Sequence, residues 1–231
     1  MLGVIVNAAA IVLGSLLGLL FKKGIPEKMS KAVMTGIALC ILYIGVSGSL
    51  QCQNALVMIF SMVFGAIVGT LLDIDGAVNR LGDFVNAKVK KTDGNASVSE
   101  GFVTASLLFC VGAMAIVGSL SAGLRGEYET LFTKSLLDGI SACMLAVSLG
   151  VGVALSAVMV FLYQGAIVLL ANVIAPVLSE TATAEITAVG SLLIVALALN
   201  MLGITKIKVA NFLPALLFAP LFTYLMGLLA I

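Results

Sequence analysis

Asp138 follows Lys134 by four residues and Ser135 by three in the string Lys134-Ser-Leu-Leu-Asp-Gly139, with apolar sequence on both sides. A carboxylate inside hydrocarbon costs at least about 2.5 kcal/mol unless it is paired or hydrated, so Asp138 is the first functional candidate. Two readings of the spacing stand side by side. In the first, Asp138 meets an ion or polar solute, with Lys134 and Ser135 as neighbouring candidates. In the second, Ser135 and Asp138 have capping-box spacing, the carboxylate sits in a first turn where the helix dipole favours it, and Lys134 one turn back neutralises it. A helix that begins at Leu131 carries Asp138 about 10 Å deep. One that begins at Ser135 and stops before Gly150 has about 14 residues, too few to cross unless broken or re-entrant. Both versions put Asp138 near a cavity or a helix break.

Four amides join this polar set: Asn7, Gln164 beside Tyr163, Asn200, and Asn211 three residues before Pro214. Carboxylate, amide and carbonyl oxygens are what hard cations bind, and the same groups hydrogen-bond small polar solutes. Pro214 has no N–H, so a carbonyl near Ala210 is expected to be free, either to bend the helix or to meet a cation. Histidine is absent, which removes the commonest general base and metal ligand. No second intramembrane carboxylate is placed to share a proton with Asp138, and no serine has an evident base, so an enzyme is not expected. Cys40, Cys52, Cys110 and Cys143 show neither a disulfide framework nor zinc spacing, and no cofactor is implied.

The elements that must hold these groups are membrane helices. Hydrophobic residues make up 61% of the 231 and charged ones 10%, against roughly a quarter charged in a soluble domain. The apolar residues fall in runs of about 18 to 22, long enough to cross a layer of about 30 Å. Eight spans follow: Leu2 to Phe21, Lys31 to Leu50, Ala55 to Leu72, Gly101 to Leu124, Leu131 to Gly150, Val153 to Val173, Glu185 to Gly203, and Val209 to Ala230. The fifth and sixth are divided at Gly150-Val151-Gly152, because one helix through both would overshoot the bilayer. The first run is a retained helix rather than a signal peptide, since no basic region precedes it and Lys22 and Lys23 follow. Between spans three and four, Ile74, Val78, Leu81 and Val85 recur at helical spacing among polar residues, an amphipathic helix for the membrane surface. Lys91 to Ser99 reads as a linker.

Lys22, Lys23, Lys28, Lys31, Arg80, Lys88, Lys90, Lys91, Lys206 and Lys208 all fall on one side of this topology, and Arg125 and Lys134 on the other. The positive-inside rule makes the first side cytoplasmic and both termini external. With a net charge of +1 and scattered basic residues, nucleic acid is not an expected partner. The bilayer and a small ion or polar solute are. Gly14 with Gly18, and Gly65 with Gly69, give small-residue faces for helix packing or for a second copy of the chain.

The chain also repeats itself. Lys31-Ala-Val-Met-Thr-Gly-Ile-Ala-Leu-Cys-Ile-Leu42 aligns with Lys134-Ser-Leu-Leu-Asp-Gly-Ile-Ser-Ala-Cys-Met-Leu145. Gly14-Ser-Leu16 aligns with Gly118-Ser-Leu120, and Gly65-Ala-Ile-Val68 with Gly165-Ala-Ile-Val168. Spans one to three (about 2–72) thus match spans four to six (about 101–175), leaving a C-terminal pair (about 185–230) in a single membrane domain. An odd-numbered unit enters the membrane from the opposite face in its second copy, so the repeat is inverted, a transporter signature.

The strings Phe109-Cys-Val-Gly-Ala-Met-Ala-Ile-Val-Gly-Ser119, Lys134-Ser-Leu-Leu-Asp-Gly139, Leu149-Gly-Val-Gly-Val153, Tyr163-Gln-Gly165 and Val209-Ala-Asn-Phe-Leu-Pro-Ala215 carry a further signal. On them the chain resembles, over nearly its whole length, the YdfK/YqgA-like bacterial membrane proteins, domain of unknown function 554. The resemblance implies a multi-pass protein of the bacterial inner membrane and carries no substrate with it. The expected fold is an all-α polytopic transmembrane bundle. The expected function is a transporter or channel for a small ion or polar solute with its site near Asp138, the alternative being a membrane scaffold or regulatory protein without transport.

Overall fold

Apolar segments in hydrocarbon must satisfy their own backbone polar groups, and the α-helix does so within one segment. The computed structural model describes residues 1–22, 27–88, 98–111, 113–175 and 178–229. Its helices are α1 (Leu2–Lys22), α2 (Glu27–Ser49), α3 (Ala55–Leu71), α4 (Ile74–Lys88), α5 (Val98–Cys110) and α6 (Ala113–Leu124). They continue as α7 (Glu129–Leu149), α8 (Gly152–Leu169), the short α9 (Ala171–Ile174), α10 (Glu180–Met201), a 3-10 turn (Val209–Phe212) and α11 (Ala215–Leu229). Six stretches are long and apolar enough to cross a membrane, eight if each of two bent helix pairs is one span. The protein is an all-α polytopic membrane protein.

Several element ends differ from the sequence expectation, each for a local reason. Ser179 caps α10 by accepting from the Ala182 N–H at 3.2 Å, so this helix starts at Glu180 and carries Glu185 into its interior. The fourth span, drawn as continuous, is two helices: α5 starts at Val98, and α6 leaves it at 59° after Cys110. The third turns by 55° into α4 at Asp73, which has φ 48° and accepts from the Gly76 N–H at 3.3 Å. Aspartate tolerates that left-handed conformation because its short side chain bonds the backbone locally. Gly150, at φ 75° and ψ −154°, ends α7 in a conformation open to glycine, which is why the division expected there occurs. The expected amphipathic helix is α4, while most of the expected linker lies outside the described residues.

Two compact units interleave along the chain. The first holds α1, the start of α2, most of α4, and α5 to α8. Here α1 lies along α7 and α8, and α5 packs on α8. Gly14 rests on the Gly139 carbonyl oxygen and Gly18 on that of Cys143, so a methyl at either position would collide with α7 backbone. Gly152 meets the Val98 carbonyl in the same way. Val4, Ala122, Leu131 and Val168 form a small buried cluster, with Met1 and Tyr128 against it.

The second unit holds the rest of α2, α3, α10, the 3-10 turn and α11. Gly65 packs on Ala215 and Gly69 on the Asn211 carbonyl, which draws α3 against the 3-10 turn and α11. Phe60 and Phe64 meet Phe218 and Phe222 with ring centroids 5.5 to 6.0 Å apart. Gly45 and Gly48 of α2 fit against Ser191 and Val195 of α10. Exposed Leu13, Leu17 and Leu20 in the first unit and Ile59, Leu217 and Leu228 in the second have the apolar character a lipid-facing surface requires.

Gly14→Val should separate α1 from α7 and cost about 1 to 3 kcal/mol. Gly36→Ala, with nothing within 4 Å of the added methyl, should change stability little. Thermal unfolding in detergent compares them, and equal midpoints would contradict the close approach.

A buried polar cluster as the candidate functional site

Asp138 is the tenth residue of the 21-residue α7, so it lies about 14 Å along the helix axis from the first residue and near the middle. This excludes the capping reading. Ser135 is likewise inside the helix, and its hydroxyl donates to the Leu131 carbonyl at 2.6 Å. α7 is continuous, so the helix break expected near Asp138 is not in this helix; a bend of 59° instead follows the end of α5.

Lys134 supplies the charge that Asp138 needs. Its Nζ lies 2.8 Å from Asp138 Oδ1 and 2.6 Å from Oδ2, with both side chains under a tenth exposed. The pair is electrically neutral.

Two amides extend the cluster from other helices. Asn7 of α1 donates its Nδ2 to Asp138 Oδ2 at 3.0 Å and to Gln164 Oε1 of α8 at 3.2 Å. Both amide residues are fully buried. Asn7 Oδ1 and Gln164 Nε2 have no protein partner. Cys110, the last residue of α5, lies within electrostatic range of Lys134 and Asp138, and α5 packs on α7.

Asn200 and Asn211, expected with this set, do other work in the second unit. Asn200 accepts from Thr205 Oγ1 at 2.7 Å and the Ile207 N–H at 2.9 Å, and donates to the Ile207 carbonyl, closing the turn after α10. Asn211 Oδ1 accepts from the Asp75 N–H at 2.8 Å, pinning the start of α4. Pro214 opens no free carbonyl at Ala210, which accepts from the Leu213 N–H at 3.2 Å. The proline inside α11 is Pro220. Among the described residues, no group of three or more His, Cys, Asp or Glu is arranged to hold a metal ion.

Sequence reasoning missed Glu185. It is fully buried in α10, and its Oε1 accepts from the Gln53 and Asn54 backbone N–H groups at 2.8 and 2.7 Å. Cys52 Sγ donates to its other oxygen at 3.6 Å. The signal was available in Ser179-Glu180, a capping residue with an acid after it, which moves the helix start five residues back. Glu185 thus ties the loop before α3 to α10 through donors that the loop leaves unused. Burial, and then the neighbouring Glu185 carboxylate, push the Cys52 thiol above its usual range, with a smaller opposing pull from the Asn54 backbone.

A raised thiol value means less thiolate at a given pH, so Cys52, kept as the sole cysteine, should alkylate slowly at pH 8. Glu185→Gln removes the like charge and should speed the reaction severalfold. An unchanged rate would contradict the contact.

Comparison with known proteins agrees with the geometry in kind. Residues 2–224 match the family described as "Protein of unknown function (DUF554)". The chain is similar to "Uncharacterized membrane protein YdfK" of Bacillus subtilis strain 168, 35% identical over 224 residues that cover 95% of this chain and 94% of that one. It is also similar to "Uncharacterized protein YqgA" of Escherichia coli K12, 30% identical over 221 residues that cover 94% of each. No solved structure matches. A match along nearly the whole length, at these identities, makes the chain a member of the DUF554 family.

Proposed function

We propose that this protein carries a small ion or polar solute across the bacterial inner membrane, as a transporter or channel, at the cluster of Asn7, Lys134, Asp138 and Gln164. One observation carries the reading: a buried ion pair in a membrane helix, with amides beside it that keep unpaired polar atoms. Such a pair is costly to desolvate, and replacing it with neutral groups of similar shape often stabilises a protein. Its presence favours a task other than stability. α5 packs on α7 and ends at a sharp bend, which supports the reading, since a helix end leaves backbone carbonyls outside its ladder and broken helices mark transporter sites.

The sequence repeat also supports it. Gly14-Ser15 and Gly118-Ser119 hold equivalent places, and both serines are fully buried with hydroxyls that lack a protein partner. We take the two three-span segments as inverted copies. On the same reading both termini are external and the ten basic residues cytoplasmic. Lys134, buried in α7, leaves the loop count and sharpens that asymmetry. Cysteines introduced at Lys206 and near the C-terminus should label from opposite sides, and same-side labelling would end this topology.

The rival reading makes the cluster structural and gives the protein a scaffold role. Single variants do not separate the two, because Asp138→Asn or Lys134→Gln strands one buried charge and should cost about 3 to 5 kcal/mol. The double variant Lys134→Gln/Asp138→Asn removes both charges and keeps the shapes. It should unfold near the parent midpoint yet lose solute flux in proteoliposomes assayed with a panel of ions and small polar solutes. Parental flux in the folded double variant would refute the site.

A further inference from the structure

The hydrogen-bond directions in the cluster specify more than a polar pocket. A carboxylate accepts and does not donate, so Asp138 fixes the Asn7 amide with its NH2 inward, and that NH2 in turn fixes Gln164 with its oxygen toward Asn7. The chain of orientation ends with an acceptor, Asn7 Oδ1, and a donor, Gln164 Nε2, that no protein group meets. The acceptor and the donor thus belong to two amides joined to each other by one hydrogen bond. Both residues are fully buried, and unmet polar atoms there are expensive.

A bare cation suits Asn7 Oδ1 but leaves Gln164 Nε2 unmet, and the Asp138 charge is already taken on both oxygens by Lys134. An anion suits Gln164 Nε2 but leaves Asn7 Oδ1 unmet. A neutral group with both a donor and an acceptor meets both. We propose that Asn7 Oδ1 and Gln164 Nε2 form the recognition edge of the site, and that the solute is a small uncharged molecule with a carboxamide- or urea-type edge. The Lys134–Asp138 pair then acts as the fixed dipole that orients the edge and takes no ligand itself. This inference rests on the transport reading above, but binding tests it separately from flux.

The full chain in lipid nanodiscs is titrated with acetamide, urea, rubidium chloride and tetramethylammonium acetate, with binding followed by saturation-transfer NMR for the organic probes and thermal midpoint for all four. Saturable acetamide or urea binding, weakened at least tenfold in Gln164→Met, with no midpoint response to either salt, is the expected result. Gln164→Glu turns the donor into an acceptor at constant shape and should weaken binding similarly, which keeps the test open if Gln164→Met misfolds. A midpoint response to a salt with none to acetamide or urea would overturn the solute class and leave transport standing. Binding retained in either folded variant would overturn the edge, and so would an edge held by water alone, from which no probe gains saturable binding. Acetamide that binds but does not cross proteoliposomes would instead refute transport and leave the edge intact.

Discussion

A carboxylate halfway along a membrane helix has to be neutralised in place, and the first unit is organised around meeting that demand at Asp138. Lys134, one turn away on the same helix, supplies the charge. Asn7 supplies a further donor, and it reaches Asp138 only because α1 lies against α7 at backbone contact. That contact needs Gly14 and Gly18, where any side chain would strike the Gly139 and Cys143 carbonyls. The small-residue face and the polar cluster are therefore two parts of one arrangement: the glycines set the separation of α1 and α7, and the separation sets the hydrogen bond. Gln164 enters through Asn7 rather than through the charge.

The second unit meets the same kind of demand differently. Glu185 is as buried as any residue in the protein, but its partners are backbone N–H groups and a thiol rather than a lysine. Among the described residues its carboxylate is met by the loop before α3, which gives it a tying role. Asp138 differs because the amides around it end in unmet atoms. Satisfaction, not burial, separates a structural carboxylate from a candidate site here.

Much of this was legible in the sequence. Eight apolar runs of spanning length were visible because hydrocarbon thickness fixes helix length, and the α7–α8 division because Gly150-Val151-Gly152 breaks the run. Asn7, Lys134, Asp138 and Gln164 stood out as polar residues in apolar stretches, and the Lys134 pairing followed from helical spacing. Asn200 and Asn211 stood out equally and belong elsewhere, since an amide in such a stretch can bond a nearby turn as readily as a distant helix. The break after Cys110 was hidden because Val111-Gly112 interrupts neither the hydropathy nor the length of the run. Glu185 was hidden because the span was drawn to begin at it, five residues past the start that the Ser179 cap sets.

The central claim is that the cluster is reached by solutes from water and is not a sealed packing feature. Gln164→Cys, made in a chain whose four native cysteines are replaced, places a thiol at the recognition edge. In intact proteoliposomes a small, water-soluble, membrane-impermeant methanethiosulfonate should label it in the folded protein. Labelling that occurs only after denaturation would contradict the account.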